Sequence, residues 1–135
     1  GCFRSGPVGV VDKQGNILHF GTLPDYAPGL TMELLDWVKV SEFHMLIKSC
    51  VFHYELELIH PFADGNGRAG RLLMNYILVL NGHPPIVIHE EDKKTYYDAL
   101  ESWDTCQDIQ PMCDFLIAQT VKTWAKQIER AERKK

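Results

Sequence analysis

Two segments of helical period are joined by the run His60-Pro61-Phe62-Ala63-Asp64-Gly65-Asn66-Gly67-Arg68-Ala69-Gly70-Arg71. These twelve residues hold an imidazole, a carboxylate, three glycines and two arginines. Each feature alone is ordinary, because histidine often ends a helix and Asp-Gly and Asn-Gly are common turn dipeptides. Their combination in one short run between two apolar segments favours a ligand site.

The segments on either side of this loop predict two core helices. Apolar residues recur at steps of three and four over 41–59, and again over 69–80 until Gly82 stops the pattern. Two β-favouring runs around a polar, glycine-containing loop predict one hairpin at about 8–20. The predicted fold class is therefore mainly α, a helical core with one β-hairpin.

Start signals predict the remaining helices. Thr31 is expected to cap a short helix, Ser41 the long helix that follows it, and Pro111 suits the first turn of the last helix. The last helix is expected to continue into a basic tail over 122–135. Apolar stripes expected to face the core are Tyr96, Ala99, Leu100 and Trp103 on one helix and Ile117, Val121, Trp124 and Ile128 on the next.

The length and composition set limits on the class of protein. A chain of 135 residues with 24% charged residues can hold one core without disulfides, so we expect one domain over 1–135. Neither a membrane-spanning run nor a secretory leader is evident, which predicts a cytoplasmic protein. Because the chain begins at Gly1 inside what looks like a folded element, we expect a fragment of a longer protein.

The charge distribution argues against a long polyanionic partner. The tail 122–135 carries six basic and two acidic residues, so the preceding 121 residues carry a net charge of −8. A body of that sign repels a nucleic-acid backbone, and a membrane partner is likewise not expected. A short phosphate chain held in one loop is still compatible with this balance.

The chemistry of the loop favours such a phosphate site. Gly65 and Gly67 allow consecutive N–H groups to face one concavity, and the following helix adds its own N–H groups and dipole. Arg68 and Arg71 can reach further phosphate oxygens. A carboxylate at Asp64 would repel phosphate unless Mg²⁺ stood between them, and the imidazole of His60 can accept a proton near neutral pH.

Other interpretations of the loop stay open or are rejected. Phe62 is expected to point into the core, and Asn66 could equally contact phosphate or hold the turn. The spacing Gly65-x-Gly67-x-x-Gly70 also matches a dinucleotide fingerprint, but that fingerprint follows a strand, whereas 41–59 has helical period. A Walker A loop is excluded because no Gly-Lys-Ser/Thr is present.

The run 60–71 resembles the signature of the Fic domain family, His-Pro-Phe-x-Asp/Glu-Gly-Asn-Gly-Arg-x-x-Arg, at every fixed position. Members are mostly helical, and most characterised members transfer AMP from ATP, with Mg²⁺, to a Ser, Thr or Tyr hydroxyl of a target protein. The resemblance therefore implies a protein adenylyltransferase that releases pyrophosphate. Further matches, which extend it over nearly the whole chain, are Gly1-x-x-Arg4, Leu34-x-x-Trp37, Gly82-x-Pro84-Pro85 and Tyr96-Tyr97-x-Ala99-Leu100.

The resemblance also implies roles for single residues. His60 would be the catalytic base, Asp64 the Mg²⁺ ligand, and Arg68 and Arg71 would hold the outer phosphates of ATP. The nucleotide-binding set that it implies is Asp64, Gly65, Asn66, Gly67, Arg68, Ala69, Gly70 and Arg71, with Tyr96 bordering the nucleoside and Leu18 and His19 near the nucleotide.

Partners and alternatives follow from the same resemblance. The hairpin corresponds to the family's flap, which would hold a target protein by strand addition. The family's inhibitory helix has no match in these residues, so we expect it upstream of Gly1 or on a partner protein. Related death-on-curing toxins carry Lys where Gly67 stands, which favours adenylyl transfer here. The alternatives are phosphotransfer or another nucleotide-derived group transfer, removal of AMP from a modified protein, and a non-catalytic nucleotide-binding module.

Overall fold

The computed structural model describes residues 2–11 and 14–135, without the side chains of Val10, Leu18 and His19. The regular structure of these residues consists of five α-helices and one two-stranded antiparallel ribbon. The mainly helical fold class is confirmed. A short 3-10 turn at Glu90–Asp92 precedes the fourth helix. The elements are β1 Gly9–Val11, β2 Ile17–Phe20, α1 Ala27–Val40, α2 Met45–Ile59, α3 Asn66–Leu80, α4 Lys93–Cys106 and α5 Gln110–Arg133.

The chain divides into two compact units, Gly1–Ile77 and Leu78–Lys135. The first contains β1, β2, α1, α2 and most of α3, and the second contains α4 and α5. A single catalytic domain over 1–135 stays a prediction. Of the helices described, none combines the length and apolar character needed to cross a bilayer.

The core of the first unit lies between α1, α2 and α3. It is formed by Ala27, Leu34, Phe52, Leu56, Ile59 and Ile77, with Leu35, Trp37, Val38 and Leu73 partly buried against them. Burying a large apolar side chain stabilises the fold by about 1.5–3 kcal/mol, so this cluster fixes the second half of α2 against α1 and against Leu73 and Ile77 of α3. The end of α2 at Ile59, directly before His60-Pro61, is as predicted.

The buried face of α2 matches its predicted stripe only in part. The sequence predicts a stripe of Phe43, Leu46, Ile47, Cys50, Val51, Tyr54 and Leu58, of which Cys50 and Tyr54 are buried. Helix α2 is apolar on nearly all sides, and its buried positions include Phe52, His53 and Leu56, which the period of 41–59 did not single out. Phe43 lies before the helix and is exposed. When a helix is apolar all round, periodicity predicts that it is buried but not which side chains face the core.

Both predicted helix caps in this unit are wrong. Helix α1 begins at Ala27, and Pro28 is its second residue. Thr31 therefore lies inside the helix, where its Oγ1 donates to the Ala27 carbonyl at 2.7 Å. Proline favours a helix start because its φ is already helical. Ser41 ends α1 instead of starting α2, and the side chain of His44 caps α2 by accepting from the Leu46 N–H.

The two strands form an antiparallel pair within the predicted range 8–20. Their register joins Gly9 to Phe20 and Val11 to Ile17, with an irregularity between Val10 and Val11. The N–H of Gly21 donates to the Val8 carbonyl at 3.0 Å, which extends the pairing to the base of the ribbon. The role of this hairpin as a flap stays a prediction.

The second unit is built on the contact between α4 and α5. Tyr96, Ala99 and Leu100 are buried as predicted, and α5 carries Pro111 in its first turn. Lys122 of α5 binds the carboxylates of Asp92 at 2.5 Å and Glu91 at 3.1 Å. The predicted core stripe of α5 is wrong, because Ile117, Val121, Trp124 and Ile128 are exposed while Met112, Phe115, Leu116, Gln119 and Thr123 are buried.

Candidate active site

The loop between α2 and α3 begins at His60 with an unusual backbone conformation. His60 has φ 52° and ψ 60°, the left-handed region, and its N–H donates to the Leu56 carbonyl at 2.9 Å. Left-handed residues commonly end helices, although glycine is the usual choice. The turn directs the chain away from α2 at a fixed angle, and the following Pro61 is buried.

The imidazole of His60 is half-buried, and one of its ring nitrogens faces the backbone. Its Nδ1 lies 3.3 Å from the carbonyl oxygen of Glu57. A carbonyl oxygen can only accept, so a hydrogen bond here requires the proton on Nδ1. In the neutral ring Nε2 is then the unprotonated nitrogen, which is the form that a general base needs.

The side chain of Asn66 closes the loop. Its Oδ1 accepts from the N–H of Phe62 at 2.9 Å, and its Nδ2 donates to the Phe62 carbonyl at 2.8 Å. Asn66 is buried, whereas Phe62 is half-buried and stacks on Phe3 with 6.0 Å between ring centroids. Of the two interpretations left open for the Asn66 side chain, these bonds support the one in which it holds the turn.

The N-terminus of α3 provides the expected concavity. Gly65 has φ +81°, a conformation that side-chain-bearing residues rarely adopt, and its carbonyl accepts the first helical bond from the Ala69 N–H at 2.9 Å. The N–H groups of Asn66, Gly67 and Arg68 therefore belong to the first turn, where a helix supplies no acceptor for them. Such a turn binds anions readily.

The carboxylate and the two arginines lie on the outer side of this turn. Asp64 accepts from the Gly65 N–H at 2.8 Å and from Arg68 Nη2 at 3.3 Å, and both of these side chains are largely exposed. A Cβ on Gly67 would lie 3.2 Å from Arg71 Nη1 and 3.3 Å from Glu57 Oε1. The Arg71 guanidinium thus lies directly over Gly67, which leaves little room for a side chain there.

A cavity of about 360 Å³ collects most of these groups. Val8, which precedes β1, and Gly9, its first residue, both line this cavity. The hairpin therefore lies beside the loop in the first unit. The residues that line the cavity are Val8, Gly9, His60, Ala63, Asp64, Gly65, Asn66, Gly67, Arg68 and Arg71.

Among the predicted site residues whose side chains the structure describes, three do not line this cavity. Ala69 is half-buried and Gly70 is buried, one turn along α3. Tyr96 is buried in the second unit, where it packs on Phe115 with 5.5 Å between ring centroids. The side chains of Leu18 and His19 lie outside the described residues. A role for these five at a nucleotide stays a prediction.

His53 of α2, for which helical spacing favours core packing over a metal site with Cys50 and His60, is buried beneath the loop. A Cβ on Gly70 would lie 2.5 Å from its Nδ1, so Gly70 is glycine because the imidazole occupies that space. Burial lowers the pKa of His53 to about 4, helped by the nearby Arg71 charge, while a hydrogen bond with the Gly70 backbone opposes the shift. His53 is therefore neutral at pH 7, and it supports the first turns of α3 from inside.

The family model for the Fic/DOC family matches residues 1–78. The chain belongs to the Fic/DOC family. The matched residues contain the hairpin, the loop and almost all of α3, so every residue that lines the cavity lies within the Fic match.

The Fic relatives in curated collections of proteins are adenylyltransferases by name. Protein adenylyltransferase Fic of Aedes aegypti is 42% identical over 81 residues, which are 60% of this chain and 16% of that protein. The protein of the same name from Nematostella vectensis is 40% identical over 91 residues, 65% of this chain and 21% of that protein. The chain thus matches only about a fifth, or less, of the length of these relatives.

Solved Fic structures share the fold. A Fic domain containing signaling protein from Bacteroides thetaiotaomicron has a TM-score of 0.77 and 30% identity, over 90% of this chain and 51% of that one. A Fic family protein from Desulfovibrio desulfuricans has a TM-score of 0.75 and 35% identity, over 93% of this chain and 41% of that one.

Proposed function

We propose that this Fic protein transfers AMP from ATP to a Ser, Thr or Tyr hydroxyl of a target protein and releases pyrophosphate. The observation that carries the proposal is the cavity in which the imidazole of His60 faces the same space as the N-terminus of α3, Asp64, Arg68 and Arg71. The names of the curated relatives support the same reaction.

In this reaction His60 acts as the general base. Its Nε2 takes the proton of the target hydroxyl while the hydroxyl oxygen forms a bond to the α-phosphorus of ATP. The bond from the α-phosphorus to the bridging oxygen breaks, and pyrophosphate leaves with that oxygen and its electron pair. A base in position contributes roughly 10²–10⁴ in rate.

The turn at the start of α3 holds the phosphates. The first-turn N–H groups of α3, from Asn66, Gly67 and Arg68, donate to phosphate oxygens, and the guanidinium groups of Arg68 and Arg71 neutralise the outer phosphates. Fixed donors aimed at developing charge stabilise a transition state because they need no reorganisation when the charge forms.

Asp64 is the candidate Mg²⁺ ligand in this arrangement. Its carboxylate is largely exposed beside the phosphate turn, and the described residues contain no group of three or more His, Cys, Asp or Glu side chains that could hold a metal. One carboxylate fits Mg²⁺, which commonly binds one or two carboxylates together with substrate phosphates. When bound, Mg²⁺ would supply neutralising charge for the leaving pyrophosphate.

The target protein docks on the hairpin in this proposal. Gly9 of β1 and the adjacent Val8 line the cavity together with His60, so a segment paired with the hairpin would pass near the base. Strand addition supplies affinity through backbone hydrogen bonds and selects side chains weakly. Inhibition by a helix supplied from elsewhere belongs to the same proposal.

The test is transfer of label from ATP, with Mg²⁺, to the chain itself and to a cell lysate. We expect label from the α-phosphate on protein and none from the γ-phosphate. The His60→Ala variant should lose at least 100-fold in rate but still bind Mg-ATP, since the base does not hold the phosphates. Arg130→Lys, an exposed change in α5, is the matched control.

Three results would contradict the proposal. Label from the γ-phosphate alone would indicate phosphotransfer. Full activity of the His60→Ala variant would exclude His60 as the base. A melting temperature that does not rise with Mg-ATP would indicate a protein without nucleotide binding, because a ligand at 100 times its dissociation constant should stabilise the fold by about 2.7 kcal/mol.

A further inference from the structure

Arg4 is a buried cation in the first unit, with 7% of its surface exposed. None of the ion pairs found among the described residues involves it, and its guanidinium donates to backbone carbonyls instead. The acceptors are His60 at 2.5 Å from Nε, Gly6 at 2.9 Å from Nη1, and Ile59 at 3.2 Å and Thr22, both from Nη2.

Two of these acceptors form the end of α2. The carbonyls of Ile59 and His60 are among the last of that helix, where no further turn supplies an N–H and Pro61 has none to give. The C-terminal end of a helix also carries partial negative charge, which favours a cation. The fork of Arg4 therefore satisfies the carbonyls on both sides of the His60 turn.

The remaining contacts of Arg4 connect this helix end to two other segments. The bond to Gly6 fixes the N-terminal segment, and the bond to Thr22 fixes the chain leaving β2. The Arg4 N–H also donates to the Pro61 carbonyl at 2.9 Å. A Cβ on Gly21 would lie 2.8 Å from Arg4 Nη2 and 3.0 Å from the Cβ of His60, so the three residues are in close contact.

We propose that Arg4 is a positioning residue for His60, one that fixes the left-handed turn and thereby the direction of the imidazole toward the cavity. This inference rests on the proposed function, in which His60 is the base. Arg4 does not line the cavity of about 360 Å³ that His60 lines, and its Nε donates to the His60 carbonyl, so in this proposal it acts through the backbone of His60. A misplacement of a reacting group by about 1 Å can reduce the rate about 100-fold.

The first experiment separates positioning from nucleotide binding. In the Arg4→Gln variant we expect kcat for AMP transfer to fall roughly 10- to 100-fold, while KM for ATP changes less than about threefold. Arg4→Lys keeps the charge but loses the fork, so its kcat should lie between those of Arg4→Gln and wild type. Arg130→Lys is the matched control and should have wild-type kinetics.

The second experiment does not depend on activity. Nitrogen-15 NMR of the His60 ring distinguishes protonation at Nδ1 from protonation at Nε2, and wild type should show the Nδ1–H form that the Glu57 carbonyl selects. Loss of the Arg4 clamp should mix the two forms. If wild type transfers no AMP, the proposed function fails, and this measurement still decides whether Arg4 orients the ring.

A folded Arg4→Gln variant with wild-type kcat and a wild-type ring spectrum would overturn the inference. If Arg4→Gln does not fold, Arg4→Lys and Gly21→Ala decide, because the methyl added at Gly21 would lie within 3.0 Å of Arg4, His60 and Val8. Gly21→Ala should lower kcat without changing KM for ATP, and an unchanged kcat would overturn the inference. Gly29→Ala, where the new methyl meets no heavy atom within 4 Å beyond its chain neighbours and its own helix backbone, is its control.

Discussion

The loop 60–71 has two sides that differ in what their side chains contact. On the inner side, Arg4, His53 and Asn66 are buried and contact the backbone of the loop and of α3. On the outer side, Asp64, Arg68 and Arg71 are exposed, and the Asp64–Arg68 contact of 3.3 Å is long for a hydrogen bond.

This difference separates residues that build the loop from residues that are available to a ligand. A buried polar group costs free energy unless its partners are present, so the inner side chains are committed to the fold. The exposed side chains contribute little to stability and can exchange water for phosphate. Changes on the inner side should therefore lower stability, whereas changes on the outer side should lower binding alone.

The largest expected effect on stability comes from pH and the inner residue His53. Its pKa is about 4 in the folded chain, because burial disfavours the charged form, and 6.5 in the unfolded chain. As pH falls through 6.5, the unfolded state gains a proton that the folded state binds only near pH 4. The free energy of unfolding should therefore decrease by on the order of 3 kcal/mol between pH 7 and pH 4.

Urea unfolding at fixed pH values measures this effect. In His53→Gln the decrease between pH 6.5 and pH 4 should be smaller than in wild type, since glutamine does not titrate. His44→Asn is the control, because His44 is exposed and asparagine can keep its cap on α2. The same pH dependence in His53→Gln as in wild type would place the titrating group elsewhere.

A smaller effect is expected from a methyl group placed against the same histidine. In Gly70→Ala the new Cβ would lie 2.5 Å from His53 Nδ1, and we expect a loss of about 2 kcal/mol in unfolding free energy. Gly29→Ala in α1 meets no atom within 4 Å and should instead gain up to about 1 kcal/mol. Equal effects of the two substitutions in thermal unfolding would contradict the inner-side packing.

The smallest effect on stability is expected on the outer side. Arg68→Ala removes an exposed pair with Asp64 and should change the unfolding free energy by no more than about 0.5 kcal/mol. The rise in melting temperature with Mg-ATP should nevertheless shrink, since a phosphate donor is lost. A stability loss well above 1 kcal/mol would show that Arg68 belongs to the inner side.

The outer side could be predicted from the sequence, and most of the inner side could not. Asp64, Arg68 and Arg71 lie within one short run, so their proximity follows from local turn and helix geometry. Arg4 reaches carbonyls 55 and 56 residues away, and no local pattern reports such contacts. The sequence shows that Arg4 matches the family pattern, but it does not show which groups Arg4 contacts.

The fold shows the same division between local and distant causes. Pro111 and the end of α2 at Ile59 were predicted because backbone chemistry acts within a few residues. The stripe from Ile117 to Ile128 was assigned to the core and is exposed, because periodicity shows that a helix is amphipathic but not what covers each face. Thr31 failed as a cap because Pro28 started α1 one turn earlier.

At position 60 the backbone conformation favours glycine, whereas the proposed reaction needs the imidazole of histidine. With φ 52° and ψ 60°, this helix end suits glycine, and a left-handed residue with a side chain costs about 1–2 kcal/mol. A His60→Gly variant should thus be inactive yet more resistant to unfolding than the natural protein. If His60 is the proposed base, selection for activity keeps an imidazole at a position where selection for stability alone would favour glycine.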